Sequence, residues 1–544
     1  MASEVLLNAL SLINGYLMLN YDDGEQETIR NEMEMLAGET FPHFAAGAQT
    51  CSYEDVQERL SCINEKESIR RHKGVYYTPE DIVKFIITNS VKLLSGKLGA
   101  DNFAQMDLGD ILSPDFCFEK TIYDPTCGSG VFLLAALNMK LDLLARYCAL
   151  IDRDEIRRVV TTIKGNDVNK DSIAITKIRL FLCVLHRCGV EHIRGLAEWM
   201  GGCFASYDFV SAKPKEENQY DIVLGNPPYV EDSKSDSIPP KKYGNIYANV
   251  LEHAAMHLKP GGVMGFVIPL SYVSTPRMKK IREELYGRIP RQYILSFSDR
   301  PDCLFTAVHQ KLCVLFGKND GENIEVYTGN YRYWYREERQ ELFRTVEVVK
   351  NDFVTEKYIP KLGTKLDVSI YRKVISQDLP LMEWMKEGSD SIYLNMRAAF
   401  WIKAFRREHS GGEYKKFSCE GESAANYCMC LLNSSLFWWY WICVSDCWHI
   451  TGKELRGFRV PGIQDFQEPG RLASALEMRL EETKVYVGTK QTQYEYKHKA
   501  CVKEIHAIDD YIHALYGLTE EESDYIRNFA YRYRVSGGVE DGRN

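Results

Sequence analysis

The sequence predicts an α/β protein built on a parallel sheet, and three observations carry that expectation. Between about residue 73 and residue 319, short apolar runs alternate with helix-length amphipathic segments, the pattern of strands joined by crossover helices. A glycine-rich turn, Asp124–Gly130, separates an apolar run from a helical one, as happens where a ligand meets the edge of such a sheet. A further run, Asp221–Leu224, ends abruptly in Gly225–Asn226–Pro227–Pro228–Tyr229. Two prolines lack the N–H donors that a ladder needs, so a strand must stop there.

Taken in order, Met1 to about Arg71 reads as helical, amphipathic and acidic, with Asp22, Asp23, Glu25, Glu27, Glu32 and Glu34. The first strand is expected at Thr121–Tyr123, with a helix from Val131 after the glycine turn. A second strand is expected at Val159–Lys164, followed by a helix through Ile173–Leu185. The third is Asp221–Leu224. Val263–Ile268 is the next, entered from the turn Lys259–Pro260–Gly261–Gly262, and Lys311–Phe316 closes the series before the polar break Gly317–Asn323. From about Glu325 the chain turns irregular and rich in Tyr and Trp, then helical again through Arg471–Lys484 and Lys503–Leu515. The expected division is therefore an N-terminal helical region over 1–72, the α/β domain over 73–324, a further α+β domain over 325–470 and a helical end over 471–544.

A chain of 544 residues with 45% hydrophobic and 26% charged content has the composition of a well-cored globular protein of two or three units. Its 16 cysteines are scattered, without the paired C-x-x-C sets that close a zinc site, so no metal is expected and a reducing compartment is. The opening apolar stretch is broken by Asn8 and Asn14 and lacks a basic start, unlike a signal peptide. Tyr427–Val444 is apolar but interrupted by Asn433, Ser434 and Ser435, which suits a buried core element better than a membrane span. These points lead to the expectation of a cytoplasmic protein with no membrane partner. The net charge of -9 does not exclude nucleic acid, because binding depends on local basic surface. Basic residues gather at Lys279–Lys280–Arg282, Arg406–Arg407, Lys415–Lys416 and Lys453–Arg456–Arg459, and the 33 tyrosines suit stacking on bases.

The glycine turn alone could be structural, since glycines also let a backbone pass close to a neighbour. The following strand adds weight: Gly165–Asn166–Asp167–Val168–Asn169 sets an acid at a strand end, where a carboxylate can accept hydrogen bonds from two ribose hydroxyls. There is no Walker lysine, so the expected ligand is a nucleoside without phosphates, and S-adenosyl-L-methionine fits. The stiff turn after Leu224 would present two acceptors, the Asn226 side-chain oxygen and the Pro227 carbonyl, to the two hydrogens of an exocyclic amine. Two acceptors at tetrahedral angles favour localising a lone pair that the ring otherwise delocalises; positioning and charge placement then do most of the catalysis. Tyr229 would stack on the base, which must leave the duplex to be reached. Stacking returns about 1–3 kcal/mol against a flipping cost of a few kcal/mol.

With these residues in view, the chain resembles the gamma-class N6-adenine DNA methyltransferases of restriction–modification and phage-defence systems, from about Gly74 to Lys318 and more loosely beyond. The resemblance implies a Rossmann-like, seven-stranded S-adenosylmethionine-dependent methyltransferase sheet, a C-terminal α+β target-recognition domain, and double-stranded DNA as partner. Whether a separate specificity or restriction subunit joins it stays open. Gly74–Pro79 is similar to the family's motif before the first sheet strand, which implies Tyr77 and Thr78 at the cofactor, with the threonine near its carboxylate. Asp124, Thr126, Gly128 and Gly130 match the cofactor turn, and Asp167 with Val168 the ribose-binding strand end. Tyr207–Asp208–Phe209 resembles the motif whose acid meets the adenine amine of the cofactor and whose phenylalanine packs on that ring. Asn226, Pro227, Pro228 and Tyr229 match the catalytic tetrad.

Asn245–Tyr247, Val263–Ser271 and Phe305–Leu315 look like later motifs, which places Tyr247 and Phe305 as candidates for the base pocket. Leu432–Ser435 and His449–Pro461 look like part of a target-recognition domain, with Lys453, Arg456, Arg459, Arg406 and Arg407 as candidate DNA contacts. Ile505–Asp510 with Tyr516–Leu518 resembles the helical end of such enzymes. Many relatives carry a nuclease domain built on an acid and an E-x-K pair. Glu65–Lys66–Glu67 lacks that spacing, so no endonuclease activity is expected. Alternative acceptors for the same tetrad are RNA bases, cytosine N4 and glutamine side chains. A non-catalytic DNA-binding modification subunit is the reading from a different class, disfavoured by the intact tetrad.

Overall fold

Side chains alternate between two apolar faces along every central strand, and this alternation organises the molecule. The computed structural model describes residues 3–40, 52–63, 78–99, 103, 108–110, 112–148, 151–212, 219–305, 308–409, 412–488 and 493–535. Nine strands form one sheet: β1 (Ile122–Asp124), β2 (Ile163–Asn166), β3 (Phe204–Ala205), β4 (Tyr220–Gly225), β5 (Leu258–Pro269), β6 (Arg291–Phe297), β7 (Leu312–Lys318), β8 (Glu325–Arg332) and β9 (Val349–Lys350). Their order across the sheet is 3-2-1-4-5-7-6-8-9. The first five run parallel. β7 is antiparallel to both β5 and β6, while β8 runs parallel to β6 and β9 antiparallel to β8.

On one face lie Ile122, Ile222, Leu224, Val263, Val267, Leu295 and Val314. On the other lie Tyr123, Val223, Met264, Phe266, Ile268, Ile294 and Leu315. The period is two, as the pleat requires. The first face is covered by α1 (Glu4–Asn20), α2 (Asp23–Ala37), α3 (Tyr53–Cys62), α4 (Glu80–Leu94), α5 (Val131–Tyr147) and α6 (Lys170–Cys188). The N-terminal helices thus share a core with the sheet. α2 and α3 begin at capping boxes, Asp22 with Glu25 and Ser52 with Asp55.

The second face is covered by α7 (Ile246–Met256), α8 (Lys279–Arg288) and the C-terminal region, including α9 (Gly421–Asn433), α10 (Ser435–Val444), α11 (Gln467–Thr483) and α12 (Val502–Leu515). All ten residues of α10 are buried. Its indoles are satisfied individually: Trp438 donates to the Ala399 carbonyl, Trp439 to Asp367 Oδ1 at 3.1 Å and Trp441 to the His449 carbonyl. The Leu432–Ser435 motif makes the break between the two helices. Asn433 donates to the Ala404 and Met429 carbonyls, Ser434 caps α10 through the Phe437 N–H, and the Ser435 N–H meets Asp509 of α12. Among the described residues no single helix is long and apolar enough to cross a membrane; α9 and α10 together are, but they bend by 61° and lie buried.

Three expectations change. The sheet has nine strands rather than seven, because it continues beyond residue 324: β8 pairs with β6, so the boundary expected at 325 falls inside the sheet. Its tyrosines and polar residues alternate with buried Val326, Thr328 and Tyr331, which hid it. Val159 is helical, not extended, because Asp152 and Glu155 cap a helix over Arg153–Val160 that buries Ile156, Val159 and Val160. β6, in turn, went unrecognised by sequence.

Because one core joins the sheet to α10, Trp439→Ala should cost about 3–5 kcal/mol and lower the temperature of a single calorimetric transition. Separate melting of the C-terminal region would show that the shared core is not one cooperative unit.

Candidate active site

The five parallel strands all present their C-terminal ends to one edge, and the strand order reverses between β1 and β4. Loops part at such a switch point and leave a crevice. A cavity of about 560 Å³ lies there. It is lined by Thr78, by Asp124, Thr126 and Gly128 of the glycine turn, by Asp167 and Val168 after β2, by Asp208 and Phe209, and by Asn226 and Pro228 after β4. Residues spread over 150 positions of sequence thus meet in one place. Tyr77 lies outside the described residues.

The glycine turn is fixed from three sides. The Gly128 N–H donates to Asp167 Oδ2 at 2.9 Å, and Thr176 of α6 donates to the Gly128 carbonyl at 2.9 Å. Arg179, also on α6, donates to the Ser129 carbonyl at 2.6 Å and to Gln57 of α3 at 3.0 Å, while Gln57 donates back to the Arg179 carbonyl. Gly130 caps α5 with φ 76, and a Cβ there would sit 2.6 Å from Thr176 Cγ2, so only glycine fits. Asp167 Oδ1 accepts from the Asn169 N–H, which shapes the start of α6.

Four carboxyls line this cavity, Asp124, Asp167, Asp208 and Asp236, and two of them are shifted in opposite directions. Asp124 is 1% exposed; burial, reinforced by the charge of Asp167 and opposed by the Thr126 N–H, pushes its pKa up to about 8. Asp208 is also raised by burial, but hydrogen bonds from the Ser211 hydroxyl and N–H and the Val210 N–H outweigh this and hold it below the ordinary value. Phe209 is buried against Tyr123, His253 and His257.

Asn226 Nδ2 donates to Thr78 Oγ1 at 3.0 Å. With its nitrogen committed to Thr78, the planar carboxamide directs Oδ1 away from that residue. Pro227 is buried and Pro228 lines the cavity. Tyr229 lies beyond the lining, its hydroxyl donating to the Val267 carbonyl at 2.9 Å and its ring edge-on to Tyr247 at 6.5 Å.

Two base-pocket candidates sit elsewhere. Tyr247 is fully buried, its hydroxyl 2.8 Å from Ser271 Oγ, so it supports Tyr229 from behind. Phe305 is 1% exposed and packs into the core of the sheet's first face. Three of the expected DNA contacts are also structural. Lys453 donates to the Ser274 and Val444 carbonyls and pairs with Glu454. Arg406 is bound to Ser391, Asn426 and Asp390. Arg459 donates to the Gln377 and Asp378 carbonyls. Arg456 and Arg407 are exposed, the latter 3.5 Å from Glu481. Among the described residues no cluster of three metal-ligating side chains occurs.

Sequence reasoning missed Ser61 of α3 and the stretch Lys234–Ser237, both of which line the cavity. The charged segment Glu231–Tyr243 is tied down by Ile238 N–H to Ser211 Oγ and by Gly244 N–H to Asp232, both at 2.7 Å. Ser61 carries no local signal, since it arrives through helix packing.

Residues 63–365 match the family of N-6 DNA methylases, more than half of the chain. The chain belongs to the N-6 DNA methylase family. Among similar proteins are the type II restriction enzyme and methyltransferase RM.Eco57I of Escherichia coli, 23% identical over 53% of this chain and 32% of that protein, and the type II methyltransferase M.VspI of Vibrio sp. (strain 343), 25% identical over 42% of this chain and 45% of that protein. The aligned part thus spans less than half the length of these relatives. The Type IIL restriction–modification enzyme MmeI, solved in complex with DNA, shares the fold at a TM-score of 0.52 and 12% identity, over 88% of this chain and 81% of that one. The methylase match covers β1 to β9, including the two strands that extend the sheet.

Gly130→Ala should cost about 1–2 kcal/mol for the left-handed backbone alone, with the Thr176 clash adding to it. Chemical denaturation checks this, and an unchanged midpoint would contradict the described turn.

Proposed function

We propose that the chain transfers a methyl group from S-adenosyl-L-methionine to the N6 nitrogen of an adenine turned out of duplex DNA, as the modification activity of a restriction–modification or phage-defence system. The observation that carries this reading is the meeting of Asn226 and Pro228 with the glycine turn and the carboxyls of Asp124, Asp167 and Asp208 on one cavity.

The residues present suit this cofactor. Gly128 faces open space, with nothing within 4 Å of a notional Cβ, so a ligand can approach the backbone closely. In this reading Asp167 takes the ribose diol, Val168 and Phe209 the faces of the adenine, Asp208 its amine, and Asp124 and Thr78 the charged amino-acid tail, with Thr126 and Gly130 shaping the turn. The carboxyls match a ligand that carries positive charge and no phosphate. When bound, the cofactor supplies an electrophilic methyl group.

The chain's own contribution is placement. The Asn226 oxygen and the Pro227 carbonyl accept the two hydrogens of the adenine amine and localise its lone pair. Tyr229, held by Val267 and backed by Tyr247, offers a face on which the extruded base rests. No strong base is needed before attack, because the amine becomes acidic as the new bond forms.

Incubating the protein with labelled S-adenosyl-L-methionine and DNA lacking the modification tests the reading: label should appear as N6-methyladenine. Label in cytosine or RNA only, or none from a protein that binds the cofactor, would overturn it. Asn226→Ala should reduce transfer by about 10²–10³-fold or more, the scale for losing one placed polar group, with cofactor affinity close to wild type; lost affinity would make Asn226 structural.

Asp124 gives a pH signature. Below about pH 8 its carboxyl is mostly protonated, and a cationic ligand favours the ionised form. Cofactor binding at pH 7 should therefore release a proton, and affinity should rise with pH until about 8. Calorimetry in buffers of different ionisation enthalpy reads that proton, which Asp124→Asn should abolish. Identical proton release by the variant would refute the assignment.

A further inference from the structure

A tryptophan with two cations stands at the same sheet edge as the tetrad. The guanidinium of Arg300 lies 5.1 Å and the ammonium of Lys311 4.7 Å from the ring centroid of Trp448, which is half-buried beside exposed His449. Lys311 is paired with Asp299 at 3.4 Å. Among the described residues no carboxylate lies within 4.0 Å of Arg300. The loop that carries Arg300 comes from the sheet, whereas Trp448 comes from the C-terminal region.

The turn that presents Trp448 is strained and heavily braced. Cys447 has φ 56, a left-handed conformation that favours glycine. Ser445 Oγ accepts the Cys447 N–H, Asp446 Oδ1 accepts the N–H groups of Trp448 and His449, and the Trp448 carbonyl accepts from the Ala398 N–H. From outside, Lys361 and Lys453 donate to the Ser445 and Val444 carbonyls and Trp441 to the His449 carbonyl. Strain of this kind persists only where the surroundings over-determine it, and it gathers at functional sites.

The position follows from the strand pairing. Lys311 precedes β7, its carbonyl accepts from the Leu270 N–H, and Leu312 pairs with Pro269. Tyr229 is hydrogen-bonded to Val267, two residues back on β5. Glycine turn over β1, tetrad over β4, Tyr229 over β5 and the Trp448 cluster over β7 therefore form one line along the edge. The β4 and β7 sites are two strand spacings, about 10 Å, apart. An aromatic plane with a guanidinium beside it suits a nucleic-acid strand, which offers base faces and phosphates together.

We propose that Trp448 and Arg300 form the platform that holds the DNA strand beside the extruded nucleotide, the indole stacking on the neighbouring base and the guanidinium binding the adjoining phosphate. The inference rests on DNA being the substrate. Affinity for a fluorescein-labelled duplex of random sequence, measured across a salt series, tests it. Arg300→Gln should lower the slope of log affinity against log salt by about one. Trp448→Ala should weaken binding about tenfold and Trp448→Phe much less, with cofactor affinity unchanged in all three. Folding of each variant is checked by its melting transition, and Arg300→Gln serves alone if Trp448→Ala does not fold. Wild-type protein that shows no salt-dependent duplex binding would remove the DNA reading itself. Wild-type binding with the Arg300→Gln slope unchanged and Trp448→Phe as weak as a loss of the ring would sink the platform alone.

Discussion

In the proposed reaction the chemistry depends on the orientation of one amide, and the hydrogen bond from Asn226 Nδ2 to Thr78 Oγ1 orients it. A carboxamide has a donor end and an acceptor end that differ only by rotation, and a catalytic turn needs the acceptor end in one place. Thr78 holds the donor end from 148 residues away. It is 5% exposed and precedes α4, which packs against β5. Backbone rigidity at the strand end comes from the two prolines. Side-chain rigidity comes from the threonine.

The same economy governs both flanking regions. The N-terminal helices reach the glycine turn through Gln57 and Arg179, and contribute Ser61 to the cavity wall. They belong to the site rather than decorate it. The C-terminal region is fastened to the sheet by cations that end on backbone carbonyls across the junction: Arg282 on Glu356 and Lys453 on Ser274. Each satisfies acceptors that burial would otherwise leave costly. The junction that results is stiff, and it brings the Trp448 turn to the active-site edge.

Much of this was legible in sequence where local chemistry fixes the outcome. The glycine turn, Asp167 and the Asn226–Tyr229 turn were readable because glycine and proline have unusual backbones and an acid at a strand end has few uses. Four of the five parallel strands were readable from their apolar runs; β3, two residues long and not buried, was not. Other features had no local signature. β8 mixes tyrosines with polar residues and sits near the sheet's margin, so its alternation resembles a loop. Lys453, Arg406 and Arg459 looked like a phosphate-binding surface because charge alone does not reveal that a cation ends on carbonyls. Phe305 and Tyr247 were placed by motif order, which is blind to which way a ring turns. Ser61 and the Gln57–Arg179 pair depend on helix packing across more than a hundred residues, and nothing near them in sequence announces it.

The account stands most directly on the Thr78 hydroxyl, and single-turnover methyl transfer by Thr78→Val and Thr78→Ser measures it. Valine keeps the shape and removes the acceptor; serine keeps the acceptor and trims the shape. The account predicts a rate at least tenfold below wild type for valine and near wild type for serine, at saturating cofactor. A valine variant as fast as wild type would contradict it.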